Sequence, residues 1–422
     1  MKAIWLLALH SAKARRVNLS ITVMALALSS AMLLAVERVR SDARASFTQA
    51  VSGVDLVVGA RTGSIQLVLY AVFRIGAATH NMRWDSYTAL AEHPAVAWAV
   101  PISLGDNHRG FPVVGTTPAY FERLRYGDGR PLALAAGRPF TGSGDGLFEA
   151  VLGHEVARRL GYRLGEAIVL SHGMQDWGPQ HGDKPFTVVG ILAPTGTPVD
   201  RSVHISLPAM NALHLDWVGG APLPGVSIPP ELLRSWELQP KEITAVFVGL
   251  HQRSDVFRLQ RHLHQWPHEP LLAAMPGIAL DELWQVWTQV ERALWAMSAL
   301  AVLVGLSGMG ATLLAGLEQR RREWAILRSL GAGPREIGVL VLLEGALVVM
   351  AGLAAGLLLL TLSAAAFAPL VQAHWGLVLS ARLPSAHEWA LLGLLLAIGL
   401  LASAAPAWRA WRHTLADGLT PR

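Results

Sequence analysis

The side chains best suited to chemistry in this sequence are its histidines. Twelve of the 16 histidines lie between residues 37 and 292. Imidazole is a good ligand for zinc and copper, so the spacing His262-x-His264-x-x-x-His268 is a possible ligand set. On a helix His262 and His264 would point apart, whereas His264 and His268 would share a face. We therefore predict that the chain binds no metal or other cofactor. If it does bind a metal ion, His264 and His268 are the candidate ligands.

Catalytic motifs are also missing from the sequence. His154 and Glu155 lack the second histidine that the zinc peptidase motif H-E-x-x-H requires. A P-loop needs a Gly-Lys pair so that backbone amides and the lysine can hold phosphates. None of the four lysines follows a glycine: Lys2, Lys13, Lys184 and Lys241. Because cysteine is absent as well, we predict a non-catalytic chain, with a membrane enzyme as the alternative class.

One acidic residue and two glycines fall inside a long apolar run. A charged side chain at the centre of a bilayer costs about 2.5–3.5 kcal/mol, which makes it a functional candidate. Glu344 is one to two turns from the start of its run, so we favour a helix-packing or interfacial role over a proton relay. Gly352-x-x-x-Gly356 has the spacing that lets two helices approach closely. We interpret this pair as packing, within the chain or at a dimer interface.

The elements that carry these residues follow from hydropathy. The chain is 52% apolar and only 15% charged, against about a quarter charged in soluble domains. The first apolar run is too long for a signal peptide core of about 7–15 residues, so we predict an uncleaved anchor. We predict an integral membrane α-helical protein with four transmembrane helices in a 1+3 arrangement. Four runs can cross a hydrocarbon core of about 30 Å: residues 17–36, 293–317, 337–370 and 389–408.

The placement of arginine and lysine predicts how these helices are oriented. Basic residues cluster in the flank 1–16, the loop 318–336 and the tail 409–422, whereas the loop 371–388 holds only Arg382. We therefore expect both termini in the cytoplasm, with residues 37–292 and 371–388 outside. Since the basic clusters flank apolar runs, they indicate contact with membrane lipids rather than with nucleic acid.

The segment 37–292 mixes short β-type runs with helical segments, which predicts a large α+β extracytoplasmic domain. Its flanks 39–50 and 280–292 should continue the neighbouring spans as helices and form a stalk. Gly105-Asp106-Asn107 is typical of a turn between strands, and the Pro- and Gly-rich stretch 219–230 predicts a lobe boundary or exposed loop. The predicted strands are 54–58, 167–170, 186–192, 203–207 and 243–250, and the predicted helices are 84–92, 155–160 and 255–265.

The loop 318–336 predicts a short amphipathic helix, a break and a second helix. Ile326, Leu327 and Leu330 fall on one helical face, apart from most of the charged residues. Gly331 stands where the residue after a helix needs a positive φ, and Pro334 suits the first turn of the next helix. A solvated loop that only orients the protein in the membrane is the alternative interpretation.

This loop and other segments resemble the MacB/FtsX/LolC-type permeases of ABC transporters. The resemblance extends to Glu344, to Ala405-Pro406 and Arg409 near the end, and to the ectodomain stretches 151–160 and 186–192. It covers the whole chain, as one span, a large ectodomain and three spans. It implies a coupling helix that docks on an ATPase through Arg322, Glu323, Ile326, Leu327, Arg328, Leu330 and Gly331.

The resemblance also implies a function and partners. The chain would be a permease subunit in a bacterial inner membrane, paired with a second permease copy as a homodimer or heterodimer. A separate cytoplasmic ABC ATPase would use ATP to move the periplasmic MacB-like domain, for export or extraction of substrate at the outer face. A periplasmic adaptor or lipoprotein would be a further partner. The alternative is an FtsX-like signalling subunit that activates a cell-wall hydrolase, although an ectodomain of about 250 residues favours the transporter.

Overall fold

The computed structural model describes residues 16–50, 52–173, 178–218, 221–223, 228–329, 331–375 and 382–412. The chain divides into two compact units, which we call the membrane unit (Met1–Ala43 and Trp287–Arg422) and the ectodomain unit (Arg44–Val286). The helices are α1 (Arg16–Gln49), α2 (Ser64–Phe73), α3 (Trp84–Ala91), α4 (Ala119–Arg123), α5 (His154–Leu160), α6 (Leu207–His214), α7 (Pro230–Leu233), α8 (Val256–His264), α9 (Pro276–Gln319), α10 (Arg321–Ser329), α11 (Pro334–Trp375) and α12 (Ala386–Arg412).

The strands among the described residues all lie in the ectodomain unit. They are β1 (Leu56–Ala60), β2 (Met82–Arg83), β3 (Val96–His108), β4 (Phe111–Thr116), β5 (Arg125–Tyr126), β6 (Arg130–Pro131), β7 (Leu134–Gly137), β8 (Glu149–Leu152), β9 (Ala167–Ile168), β10 (Ser171–His172), β11 (Phe186–Leu192), β12 (Val203–Ser206), β13 (Trp217–Val218), β14 (Ala221–Pro222), β15 (Glu242–Ile243), β16 (Ala245–Leu250) and β17 (Leu271–Ala274). With the long helices they confirm the predicted fold class, four membrane helices and a sheet-rich domain.

Helices α1, α9, α11 and α12 are long and apolar enough to cross a membrane, and each contains the predicted run. The helices also continue past the runs: α1 ends at Gln49 and α9 begins at Pro276, so both predicted stalk segments are helical apart from Ala50 at the end of the first. Leu26, Val302, Met309 and Val349 pack together in the interior of the bundle. Other large apolar side chains on these helices stay exposed, as lipid-facing positions require: Met24, Leu28, Leu303, Val304, Leu362 and Leu401.

The two glycines of the Gly352-x-x-x-Gly356 motif lie against α1 of the same chain. A Cβ atom at Gly352 would come 2.7 Å from the Leu26 Cβ. One at Gly356 would come 2.1 Å from the Ser30 Oγ and 2.7 Å from the Ala27 carbonyl oxygen. The motif therefore packs against α1 within the chain, and a contact at a dimer interface stays a prediction.

We expect Gly356→Ala to destabilise the membrane unit by about 1–3 kcal/mol, the usual cost of overpacking, because backbone of α1 blocks the added methyl group. Gly393→Ala in α12 is the matched control, since a Cβ there meets no atom within 4 Å. That variant should be as stable as the wild type or more stable by up to about 1 kcal/mol, because alanine has a higher helix propensity than glycine. Thermal unfolding of the detergent-solubilised chain would measure both. Equal midpoints for the two variants would contradict the described packing.

A buried ion pair joins α1 to the first turn of α12. Arg38 and Glu388 are almost completely buried, and the guanidinium donates two hydrogen bonds: Nε to Oε1 at 3.0 Å and Nη2 to Oε2 at 3.2 Å. Ser385 precedes α12, and its hydroxyl accepts a hydrogen bond from the Glu388 amide while Glu388 Oε2 accepts one from the Ser385 amide. This reciprocal pattern is a capping box, so Glu388 both starts the helix and neutralises Arg38.

The ectodomain unit is built on one large mixed sheet with the strand order β17-β1-β16-β3-β4-β12-β8-β11-β7. Most neighbours are antiparallel, but β11 with β8 and β12 with β4 run parallel. The helices that follow the strands cover the sheet with apolar side chains, including Leu67 and Tyr70 of α2 and Leu213 of α6. The sheet strands β1, β11, β12 and β16 overlap the predicted runs 54–58, 186–192, 203–207 and 243–250. Ile243 alone lies in β15, which pairs with β2 in a separate two-stranded sheet.

Strand β3 contains Gly105-Asp106-Asn107, so the predicted turn there is wrong. The pairing of β3 with β4 shifts register between Leu104 and Asn107, which marks a β-bulge. Gly105 has a φ of 158°, and the chain instead reverses at Arg109 and Gly110, which both have positive φ. A bulge re-aims the side chains of its strand, and here Asp106 becomes the pairing partner of His172 in β10.

The stretch 219–230 lies only partly within the described residues. Residues 219–220 and 224–227 are outside them, whereas Ala221–Pro222 pairs with Trp217–Val218 as a short hairpin. Pro230 begins helix α7. A lobe boundary at this stretch therefore stays a prediction.

Candidate functional site

The short amphipathic helix predicted in the loop 318–336 is present as α10, between the second and third membrane helices, and its coupling role stays a prediction. Gly331 has a φ of 99° directly after it, and Pro334 begins α11, so the predicted break and restart are confirmed. Leu330 lies outside the described residues, as do the side chains of Arg322 and Leu327. Their predicted contacts with an ATPase stay predictions.

Helix α10 is held against the membrane helices by its apolar side. Ala325 is buried, and Trp324 packs on a cluster that includes Leu317 of α9 and Ile337 of α11. The Arg320 guanidinium stacks 4.3 Å above the Trp324 ring, a cation–π arrangement that is favourable where water is excluded. The position of α10 is therefore set by packing inside the membrane unit.

Glu344 is buried and faces Arg320, with 3.7 Å between Oε2 and Nη1. Arg320 Nε also donates a hydrogen bond to Glu323 Oε2 at 2.5 Å. One arginine thus links the start of α10 to the interior of α11, and the packing role of Glu344 stays a prediction that this contact supports. Sequence reasoning missed Arg320 as a site residue. Its position at the junction of two helices, three residues before Glu323, could have predicted an ion pair with that residue.

The opposite side of α10 carries an exposed apolar side chain. Ile326 is 59% exposed in this chain, and Glu323 and Ser329 are exposed beside it. Arg328 donates a long hydrogen bond of 3.5 Å from Nη2 to the Trp411 carbonyl oxygen at the end of α12. Hence α10 presents Ile326 outward, as a helix that docks in a groove on a partner would.

The histidines that lie close together in the structure are not His264 and His268, the pair predicted from the sequence. His264 ends α8, where its carbonyl oxygen accepts a hydrogen bond from Arg61, and the His268 ring lies beside Trp266. Neither residue belongs to a metal-type cluster among the described residues. One such group is described, and its ligand-type atoms all lie within 4.8 Å of one another: Asp106, His172, His181 and His214.

This cluster, which we call the Asp–His cluster, is assembled from four parts of the ectodomain unit. Asp106 comes from the β3 bulge, His172 from β10, His214 from the last position of α6, and His181 from the segment after β10. Sequence reasoning missed Asp106 and His214 because no local spacing links them. Burial disfavours a charged Asp106, yet the three imidazoles around it hold the pKa of its carboxyl well below the usual range.

The four membrane helices, the α/β ectodomain and the helix between spans two and three define a permease subunit of an ABC transporter. Family models match both units: the MacB-like periplasmic core domain over residues 18–241, and the FtsX-like permease C-terminal domain over residues 295–415. The chain belongs to the MacB/FtsX family of permeases. Membership implies a non-catalytic subunit of the inner membrane with a periplasmic domain, an ABC ATPase partner and dimeric assembly.

Two solved structures are similar to about half of the chain. The periplasmic region of MacB from Actinobacillus actinomycetemcomitans is 11% identical, with a TM-score of 0.32, covering 56% of this chain and 97% of that one. The extracellular domain of the noncanonic ABC-type transporter YknZ from Gram-positive bacteria is 13% identical, with a TM-score of 0.28, covering 52% and 97%. No curated protein sequence matches the chain.

Proposed function

We propose that this permease couples ATP hydrolysis by a separate ATPase to movement of its periplasmic domain, for export or extraction of substrate at the outer face. This is mechanotransmission: the chain transmits force, and the substrate does not pass through the bundle. The observation that carries the proposal is that α1 and α9 are each a single unbroken helix, of 34 and 44 residues. Unbroken helices transmit displacement along their length, whereas a loop at the membrane surface would absorb it.

The proposed orientation places both termini and α10 in the cytoplasm. Arginines concentrate in α10 and its flanks, and the positive-inside rule assigns such short loops to the cytoplasmic side. The exposed Ile326 then faces the compartment where an ATPase would dock. A second permease copy completes the proposed machine, as a homodimer or heterodimer, and an adaptor or lipoprotein is the proposed further partner in the periplasm.

A spin-label experiment tests the mechanical step. The chain has no cysteine, so one cysteine at Val286, which is 70% exposed on α9, can carry a nitroxide without altering other sites. In a homodimer reconstituted with its ATPase, we expect the distance between the two labels to change when ATP binds. The same labelled chain without the ATPase is the control, and ATP should leave its distances unchanged.

An unchanged distance in the full complex would contradict mechanotransmission. If the distance changes but the complex activates a cell-wall hydrolase and releases no substrate, the FtsX-like signalling function would replace transport. Hydrolysis of ATP by the purified chain alone would contradict the division of labour between the two subunits.

A further inference from the structure

We propose that the Asp–His cluster of the ectodomain unit is a binding site for a divalent transition-metal ion, with Zn²⁺ as the ion that it fits best. The four residues offer three imidazoles and one carboxylate, which is a ligand set that zinc accepts. The inference is independent of the transport mechanism, because it concerns the ligand atoms alone.

The distances between the ligand atoms fit a tetrahedral ion. With metal–ligand bonds of about 2.0–2.2 Å, two ligands of a tetrahedral zinc lie about 3.3–3.6 Å apart. In the cluster His172 Nδ1 lies 3.0 Å from His214 Nε2 and 3.1 Å from Asp106 Oδ1. His214 Nε2 lies 3.3 Å from the same oxygen, and His181 Nε2 lies 3.8 Å from it. All four contacts are close to the expected edge length.

Hydrogen bonds within the protein leave His181 and one carboxylate oxygen of Asp106 unsatisfied. His181 is completely buried, and neither of its ring nitrogens has a hydrogen-bond partner. The 3.8 Å to Asp106 Oδ1 exceeds hydrogen-bond length. Asp106 Oδ2 is buried and unpartnered as well. Buried polar groups without partners are rare and costly, so a structural role for His181 does not explain its imidazole. A bound cation would satisfy the lone pairs on both residues.

A neighbouring hydrogen bond orients one ligand toward the ion. His214 Nδ1 lies 2.9 Å from the Met210 carbonyl oxygen, one turn back in α6. The nitrogen must donate to this oxygen, so the lone pair of the neutral ring is on Nε2, which points at Asp106 and His172. Metal-binding histidines use their second nitrogen in this way, which fixes the tautomer. The Trp217 ring packs 4.1 Å from the His181 ring and shields that side of the cluster.

An ion could enter from solvent. The side chains of His172 and His214 are each 29% exposed, whereas Asp106 and His181 lie beneath them. Two ligands are therefore fixed in the interior and two lie at the surface. This arrangement suits an ion that is taken up after the domain has folded.

The test uses the full-length chain in detergent, purified with an affinity tag that contains no histidine and stripped with a chelator. Equilibrium dialysis against Zn²⁺ should give one tightly bound ion per chain, and Co²⁺ in its place should show the visible absorption of a tetrahedral complex. Asp106→Asn and His181→Leu should each weaken Zn²⁺ binding by more than about 100-fold, since loss of an outer-shell partner alone costs about 10–100-fold. The double variant His264→Ala with His268→Ala is the matched control and should bind like the wild type.

His181→Leu also distinguishes loss of metal binding from misfolding of the variant. Leucine has a similar volume, and the replaced ring has no hydrogen bond to lose. The variant without metal should therefore unfold at or above the temperature of the metal-free wild type, and Zn²⁺ should raise the midpoint of the wild type but not that of His181→Leu. Absence of stoichiometric Zn²⁺ binding by the wild type would overturn the site. Wild-type affinity in both Asp106→Asn and His181→Leu, or loss of binding only in the control variant, would overturn it too.

Discussion

Replacing Glu388 by glutamine is expected to lower the free energy of unfolding of the membrane unit by about 3 kcal/mol. Breaking a buried ion pair costs about 3–5 kcal/mol because the remaining charge is left without compensation. Glutamine at this position can still complete the capping box with Ser385, and its oxygen can accept one hydrogen bond from Arg38. The lower end of the range therefore applies, and the loss reports the ion pair rather than the helix start.

Two controls isolate the buried charge. Arg38→Met combined with Glu388→Gln removes both charges and should recover most of the stability, since apolar replacement of a whole pair is often neutral. Asp281→Asn breaks the exposed pair with Arg44 and should cost no more than about 1 kcal/mol. Unfolding of the solubilised chain, followed by tryptophan fluorescence, would measure all three variants. A double variant as unstable as Glu388→Gln alone would show that the charge is not the cause.

Ile326→Asp is expected to abolish coupling to the ATPase. The side chain is exposed in this chain, so the change leaves the folded subunit intact, but it puts a carboxylate into the proposed groove. Truncation of a buried apolar side chain costs about 2–5 kcal/mol, and an added charge costs more. Since about 1.4 kcal/mol corresponds to a tenfold change in Kd, binding of the ATPase should weaken at least about 30-fold. Co-purification and ATP turnover of the reconstituted complex would measure the effect.

Ile326→Leu is the matched control, because it keeps the apolar contact and should retain binding and turnover. Arg328→Ala should weaken binding by less than about sixfold, since exposed ion pairs contribute only about 0–1 kcal/mol. Full binding and activity of Ile326→Asp would mean that α10 serves only to orient the chain in the membrane. The side chains of Arg322 and Leu327 would then lose their proposed role as well.

The membrane part of the fold could be predicted because its signals are local. A run of about 20 apolar residues has few structures open to it in lipid, so residues 17–36 and 389–408 had to be helices. Gly331 and Pro334 act on their own backbone, and the break between α10 and α11 followed from them. The outward face of Ile326 was less certain, because the packing of Trp324 selects which side of α10 is buried.

The Asp–His cluster could not be predicted because its members meet through the sheet. Asp106 and His214 are separated by 108 positions, and their contact depends on the order of strands between them. The local signal at Gly105-Asp106 favoured a turn, yet pairing of β3 with β4 and β10 turned it into a bulge. His264 and His268 attracted notice by helical spacing alone, but α8 ends at His264, so the helix does not place the two imidazoles on one face.

The Arg38–Glu388 pair can form only late in biosynthesis, since its two residues are 350 positions apart. At about 5–20 residues per second, the ribosome needs roughly 20–70 s to make the intervening chain. Throughout that time the first helix carries a cation whose permanent partner does not exist, so water, lipid headgroups or the insertion machinery must solvate it. Insertion of α12 supplies Glu388, which neutralises Arg38. A chain that stops before residue 388 keeps an unneutralised arginine. Such truncated chains should be shorter-lived in the membrane than complete ones.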